Sequence, residues 1–185
     1  MKLKPGQIIK QSRSRDGREI VYRLPKTADL ETMRRFANEL STEDTFVQLS
    51  GERITKKAES QYLTEALAAI ENGEKIQIIA LFKQELIANA SVTKGKKRKA
   101  HAGELAISVA APFRGQGIGE ELLQLLTDLS RKNGLRLLTL TCFENNQRAI
   151  NLYEKVGFTK AGFIPGMYQR QGRYWGEIIM YLPLI

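Results

Sequence analysis

From residue 104 the chain reads ELAISV, AAPF, RGQGIG and then EELLQLLTDLSRKNG. The first six residues predict a buried strand. Ile118, Leu122, Leu125, Leu126 and Leu129 recur at helical spacing and predict an amphipathic helix. Glu120 and Glu121 open that helix, Arg131 and Lys132 close it, and Gly134 stops it, which suits the helix dipole and a glycine C-terminus. The same reading extends along the chain. REIVYRL, residues 18–24, predicts a first strand ended by Pro25. Thr27 or Asp29 caps a helix through Leu40, with Leu30, Met33, Phe36, Ala37 and Leu40 on one face. A polar connection, 41–53, leads to a second helix over 54–72, stopped by Gly73. Residues 75–82 and 86–93 predict two strands joined by a hairpin turn at 83–85. Another strand covers 135–143, and a short helix over 146–156 stops at Gly157. Residues 158–164, a Pro165-Gly166 turn, a Gln171-Gly172 hairpin turn and a last strand over 174–182 complete the chain.

A hairpin makes the early strands antiparallel. A helical crossover makes the strands at 104 and 135 parallel. The expectation is an α/β (α+β) fold: a single mixed central sheet flanked by helices. Residues 1–17 are polar and predict a flexible or edge-strand N-terminal arm, with the domain proper over 18–185.

Composition narrows the partners. The chain has 185 residues and a formal charge of +9, which favours acidic ligands or surfaces. No run of 18 apolar residues exists, so no transmembrane helix is expected and membrane binding is not. One Cys and one His exclude an internal disulfide and a His/Cys metal cluster; no metal and a reducing, cytoplasmic location are expected. The densest charge, Lys94-Gly95-Lys96-Lys97-Arg98-Lys99, is either a solvated loop or a site for RNA or for the 3′-phosphate of a nucleotide ligand.

A strand, a glycine-rich turn and a helix start together make an anion site. The first helical amides have no intrahelical partner, and glycines let the backbone approach a phosphate closely. No Lys follows Gly119, which excludes GxxxxGK[ST]. Glycines at 115, 117 and 119 give GxGxG rather than GxGxxG, which argues against a dinucleotide fold.

RGQGIG in this setting resembles the acetyl-CoA motif, [RQ]xxGx[GA], of the GCN5-related N-acetyltransferases (GNAT family). A second block, Asn146-Gln147-Arg148-Ala149-Ile150-Asn151-Leu152-Tyr153-Glu154-Lys155-Val156-Gly157-Phe158, is similar to that family's NxxAxxLYxKxGF. The resemblance implies acetyl-CoA as cosubstrate and two parallel strands that splay apart around its pantetheine arm. Backbone groups of Ile107, Ser108 and Val109 would pair with the arm. The amides of Arg114, Gly115, Gln116, Gly117, Ile118 and Gly119 would hold the pyrophosphate, with the Arg114 side chain as an added cation. Tyr153 matches a frequent general acid. Asn146 matches a position that touches the cofactor or a water; a helix-capping Asn would read the same.

The implied chemistry is acyl transfer to an amine by direct attack in a ternary complex. The amine must lose a proton and the departing thiolate must gain one. Glu104, at the start of the central strand, matches a carboxylate that serves several family members as base; a surface Glu at a strand entrance would look alike. Some relatives that acetylate protein N-termini carry a Glu twelve residues before the Tyr, where this chain has Thr141. His101, Glu144 and Glu177 are further candidates. Cys142 is either an acyl carrier or a buried structural thiol. Phe46, Val47, Tyr62, Tyr168, Tyr174 and Trp175 either line the acceptor site or pack on the core. The acceptor is a protein lysine or N-terminus, an amino acid or a small amine. A contrasting reading is a non-catalytic module that docks on RNA or protein through residues 94–99.

Overall fold

The structure is a computed structural model that describes residues 3–43, 46 and 51–184. Val47 lies outside the described residues. Strand β3 (Lys75–Phe82) is buried at every position but its two ends, so both faces of the sheet are covered there. It turns into β4 (Glu85–Lys94) through Lys83 and Gln84 alone, at φ 48° and 68°. That is a two-residue turn with both central residues left-handed, the geometry that matches strand twist. It is one residue tighter than expected, because Glu85 already pairs with Phe82.

Among the described residues eight strands form one sheet, in the order β1-β2-β3-β4-β5-β6-β8-β7. The others are β1 (Ile8–Arg13), β2 (Glu19–Arg23), β5 (Ala102–Val109), β6 (Leu137–Phe143), β7 (Thr159–Arg170) and β8 (Arg173–Pro183). Only β5 and β6 pair in parallel, so the sheet is mixed, as the crossover demanded. β1 is an edge strand on β2, within the N-terminal arm.

Four α-helices are seen among the described residues: α1 (Leu30–Thr42), α2 (Lys56–Glu71), α3 (Ile118–Lys132) and α4 (Gln147–Val156). On one face Met33, Phe36 and Leu40 of α1 and Leu63 of α2 pack with Ile79, Leu81 and Leu86. On the other, Leu122, Leu123 and Leu126 of α3 are wholly buried in the main core with Ile78, Ala90, Leu105 and Leu138. Each such leucine contributes about 1.5–3 kcal/mol. The α3 stripe is wider than expected, since Leu123 is buried and Leu125 only partly so.

Pro165-Gly166 does not end a strand. β7 runs through it, and Ile164↔Glu177 is followed by Tyr168↔Trp175. Three residues of β7 thus oppose one of β8, a bulge that absorbs a proline lacking its N–H.

Candidate active site

The parallel ladder between β5 and β6 is short. Ala102, Gly103 and Glu104 face Leu137, Leu138 and Thr139, and pairing then stops although both strands continue. On its other edge β5 stays paired to β4 as far as Val109. The two strands therefore open into a V with Glu104 at its root and Ile107, Ser108 and Val109 along one arm. Among the described residues no strand pairs with β5 or β6 inside the V, which leaves backbone there for an extended amide-bearing ligand.

Beyond Val109 the chain enters the glycine loop. Gly115 and Gly117 lie at φ 82° and 86°, and Gly117 directly precedes α3. A side chain at either would be strained in that region. The nearest atom to a Cβ on Gly117 would be Arg15 Nε at 3.7 Å, so the loop also leaves room for a ligand. A Cβ on Gly119 would come within 3.1 Å of Leu152 Cδ2, so this glycine lets α3 start close against α4. The two acidic residues of the first helical turn are neutralised. Glu120 bonds Lys155 at 2.7 Å and faces Arg15 at 3.6 Å, and Glu121 bonds Lys10 at 2.6 Å. An anion at these amides meets no unpaired carboxylate from that turn.

The Arg114 side chain turns away from this cradle. Its Nε donates to Val109 O at 2.8 Å and its guanidinium pairs with Glu43. It clamps the end of β5 to α1, and only its backbone remains with the loop. Two cations that the sequence reading missed stand closer. Arg15, in the β1–β2 turn, donates its backbone N–H to Gln116 O at 3.1 Å. Arg148 of α4 places Nη2 3.0 Å from where a Gly115 Cβ would be, and makes no ion pair among the described residues. Arg148 lay inside the second motif block. Arg15 carried no signal, because a β-turn in a polar arm does not announce what it touches.

Tyr153 on α4 is buried in the core cluster beside Cys142 and Phe158. Burial first, and then the neighbouring Cys142, push its phenol above the usual range, so it holds its proton. Cys142 is itself buried, and desolvation raises its thiol to about 11. A thiol that stays protonated at neutral pH is a poor nucleophile, so the structural reading of Cys142 fits. Asn146 caps α4, its side-chain oxygen accepting from Ala149 N at 3.2 Å. That oxygen is engaged in folding the helix.

The opposite face of the sheet is open where α1 and α2 stop covering it. Glu104 and Ala106 of β5 and Thr141 of β6 are exposed there. Tyr62 of α2 borders this face, its hydroxyl receiving Gln77 Nε2 at 3.3 Å, and Gln77 also reaches Asn89 at 2.9 Å. The other border is aromatic. Tyr168 of β7 stacks on Phe143 of β6 at 3.8 Å, and Phe46 meets Phe143 edge-on at 5.6 Å. The Tyr168 hydroxyl donates to Glu177 at 2.5 Å. Desolvation, then the bond to Glu177, push that phenol up to about 12. Trp175 pairs with Tyr168 across the hairpin, while Tyr174 is largely exposed.

Two candidates fall away by position. Residues 95–101 connect β4 to the start of β5, where Arg136 N bonds His101 O at 2.8 Å. The glycine loop follows the far end of β5, about 23 Å along at about 3.3 Å per residue. His101 and the basic run therefore sit at the wrong end of β5 for the phosphates at that loop. Glu144 accepts from Gly176 N at 2.6 Å and serves the strand backbone. Among the described residues no group of His, Cys, Asp and Glu could hold a metal ion. No helix among them is long and apolar enough to cross a membrane.

A mixed sheet split at its single parallel pair, with a glycine loop at the split, defines the acyl-CoA transferase fold. The model of the Acetyltransferase (GNAT) family matches residues 35–158, and the chain belongs to that family. It is similar to an L-methionine sulfoximine/L-methionine sulfone acetyltransferase of Pseudomonas aeruginosa, 32% identical over 44% of this chain and 47% of that one. A [ribosomal protein bS18]-alanine N-acetyltransferase of Escherichia coli is 36% identical over 42% and 53%. The chain thus spans about half the length of these curated relatives. A GNAT-family acetyltransferase structure from Streptococcus pneumoniae superposes with TM-score 0.81 and 25% identity, over 89% of this chain and 99% of that one. One from Salmonella typhimurium with its cofactor acetyl-CoA has TM-score 0.78 and 18% identity over 90% and 94%.

Proposed function

We propose that the protein is an acetyl-CoA-dependent N-acetyltransferase that acts on a primary amine by direct attack in a ternary complex. The carrying observation is the split between β5 and β6 after Glu104, which opens beside the glycine loop. Acetyl-CoA supplies an activated acyl group as a thioester. The loop amides from Arg114 to Gly119, flanked by Arg15 and Arg148, suit its phosphates, and the open edge at Ile107, Ser108 and Val109 suits its amides. Tyr153, buried and protonated, is the acid for the leaving sulfur. Glu104, exposed at the root of the V, gives the acceptor face a negative charge that draws in a cationic amine.

The acceptor we favour is an α-amine, free or at a protein N-terminus. The two relatives above carry names for acetylation of an amino-acid analogue and of a protein alanine. Such an amine has a pKa of roughly 7.7–8.0 at an N-terminus and needs less help to deprotonate than a lysine at roughly 10.4. A single buried thiol suits a reducing cytoplasm, where we place the protein.

Calorimetry with acetyl-CoA, followed by acetylation assays on L-methionine sulfone, an alanyl peptide and a lysyl peptide, tests this reading. Micromolar binding, about −8 kcal/mol, and turnover of an α-amine are expected. No binding of acetyl-CoA would refute the transferase. Turnover of the lysyl peptide alone would refute the acceptor class.

A further inference from the structure

Glu177 is 8% exposed, yet no cation pairs with it among the described residues. A buried carboxylate without a counter-charge is expensive unless hydrogen bonds hold it. The bond that holds this one comes from a phenol, Tyr168, at 2.5 Å. Glu177 sits opposite Phe143 across β6 and opposite Ile164 across β7. Tyr168 follows the bulge at 165–167, and bulges re-aim side chains. Its ring lies 3.8 Å from Phe143 at 12°, and its hydroxyl is held by Glu177. The hydroxyl is therefore fixed over β6 on the acceptor face. Tyr153 occupies the other side of the same strand, and both phenols feel Cys142.

Resting on the transferase reading above, we propose that the Tyr168–Glu177 pair is the proton acceptor for the incoming amine. Two protons leave an ammonium nitrogen when it becomes an amide. Tyr168 takes the first on its oxygen while passing its own proton to Glu177. The C–N bond forms and the C–S bond breaks. Tyr153 gives its proton to the sulfur, and the nitrogen's second proton restores Tyr153. Glu177 then returns its proton to water. Glu104 is exposed and lacks such a relay. The charged and titratable groups around the pair are Cys142 on β6, Lys160 and Arg170 on β7, and Glu144 beside Gly176. Lys160 pairs with Glu154, Arg170 lies over Phe46, and Glu144 is tied to Gly176. Glu177 is thus the carboxylate that the Tyr168 hydroxyl reaches.

The test compares wild type with Tyr168→Phe, Glu177→Gln and Glu104→Gln, using acetyl-CoA and whichever of the three amine probes turns over. The first two variants should lose roughly 10²–10⁴-fold in kcat/KM at pH 7. Wild type should level off with pH, whereas these variants should climb until the amine itself deprotonates. Their deficit should therefore shrink at least tenfold by pH 9.5. The double variant should be no worse than the worse single one. Calorimetric Kd for acetyl-CoA should stay within twofold. In the absorbance titration of tyrosinate, the band removed by Tyr168→Phe should shift to lower pH in Glu177→Gln. A deficit equal at every pH, or below fivefold, would overturn the proposal, as would a climbing profile in Glu104→Gln alone. Tyr168→Phe keeps the ring stack, so it carries the test even if Glu177→Gln fails to fold. Wild type that binds acetyl-CoA but turns over no probe would defeat the transferase reading first, and the pair's role with it.

Discussion

The two sides of the V are built in different ways. The side proposed for the acyl donor comes largely from one continuous stretch: β5, the glycine loop and α3 follow one another without interruption. The acceptor side is assembled from α2, β5, β6, β7 and β8, with its closest polar contact joining residues nine apart on opposite strands of a bulged hairpin. The first depends on backbone geometry and helix-terminal amides, the second on side chains brought together by tertiary packing. A ligand of fixed chemistry can be met by a fixed loop. On the proposed function, the acceptor would be met by the hairpin and the helices.

The comparison breaks most sharply at Gly117. Gly117→Glu puts an L-residue at φ 86° and a carboxylate beside the amides. The strain costs roughly 1–2 kcal/mol, and charge repulsion adds to it. Acetyl-CoA affinity should fall more than 100-fold by calorimetry, while the Phe143–Tyr168 side keeps its near-ultraviolet circular dichroism. Next in size is Tyr153→Phe. If Tyr153 is the acid proposed above, its removal should lower kcat roughly 10²-fold with acetyl-CoA Kd unchanged. Because burial holds the Tyr153 phenol above its ordinary value, it stays protonated through neutral and mildly alkaline pH. The wild-type rate should therefore not decline between pH 7 and 9. A fall in that window would assign the acid elsewhere.

The same division explains what could be read from the chain. RGQGIG and the spacing of Leu122, Leu126 and Leu129 specify a local strand–loop–helix unit, and the fold shows it. The parallel β5–β6 pair followed from a crossover rule, and the split after Glu104 is where that ladder ends. The Pro165-Gly166 turn was misread because a proline and a glycine signal a turn and a bulge alike, and only the β8 register tells them apart. Arg114 kept its place in the motif, yet its side chain went to Glu43, a residue 71 positions away. Tyr168 and Glu177 are ordinary members of an aromatic hairpin until β7 bends one onto the other.

Gly103 lies at the root of the V, before the strands part. A Cβ there would meet Val92 Cγ1 at 2.4 Å and Leu135 Cδ1 at 3.0 Å. Gly103→Ala should therefore destabilise the protein by about 1–3 kcal/mol in urea unfolding, as overpacked cores do. It sharpens the comparison because it perturbs both arms of the V at once. Loss of acetyl-CoA affinity and of amine turnover should track the loss of folded protein, and neither alone should exceed it.

The smallest effects separate the two basic ends of the sheet. Arg15 and Arg148 flank the glycine loop, whereas Lys96, Lys97 and Lys99 stand at the other end of β5. At 0.1 M salt the screening length is about 10 Å, less than half the length of that strand. Arg15→Ala and Arg148→Ala should each raise the Kd for acetyl-CoA several-fold, with a shallower dependence on salt than wild type. Lys96→Gln, Lys97→Gln and Lys99→Gln combined remove more charge, yet should leave that Kd within twofold. If the lysines changed affinity and the arginines did not, proximity to the loop would not be what recruits the phosphates. Long-range attraction by the net charge would then account for the basic character of the chain, and Arg15 would serve only to pin β1–β2 to Gln116.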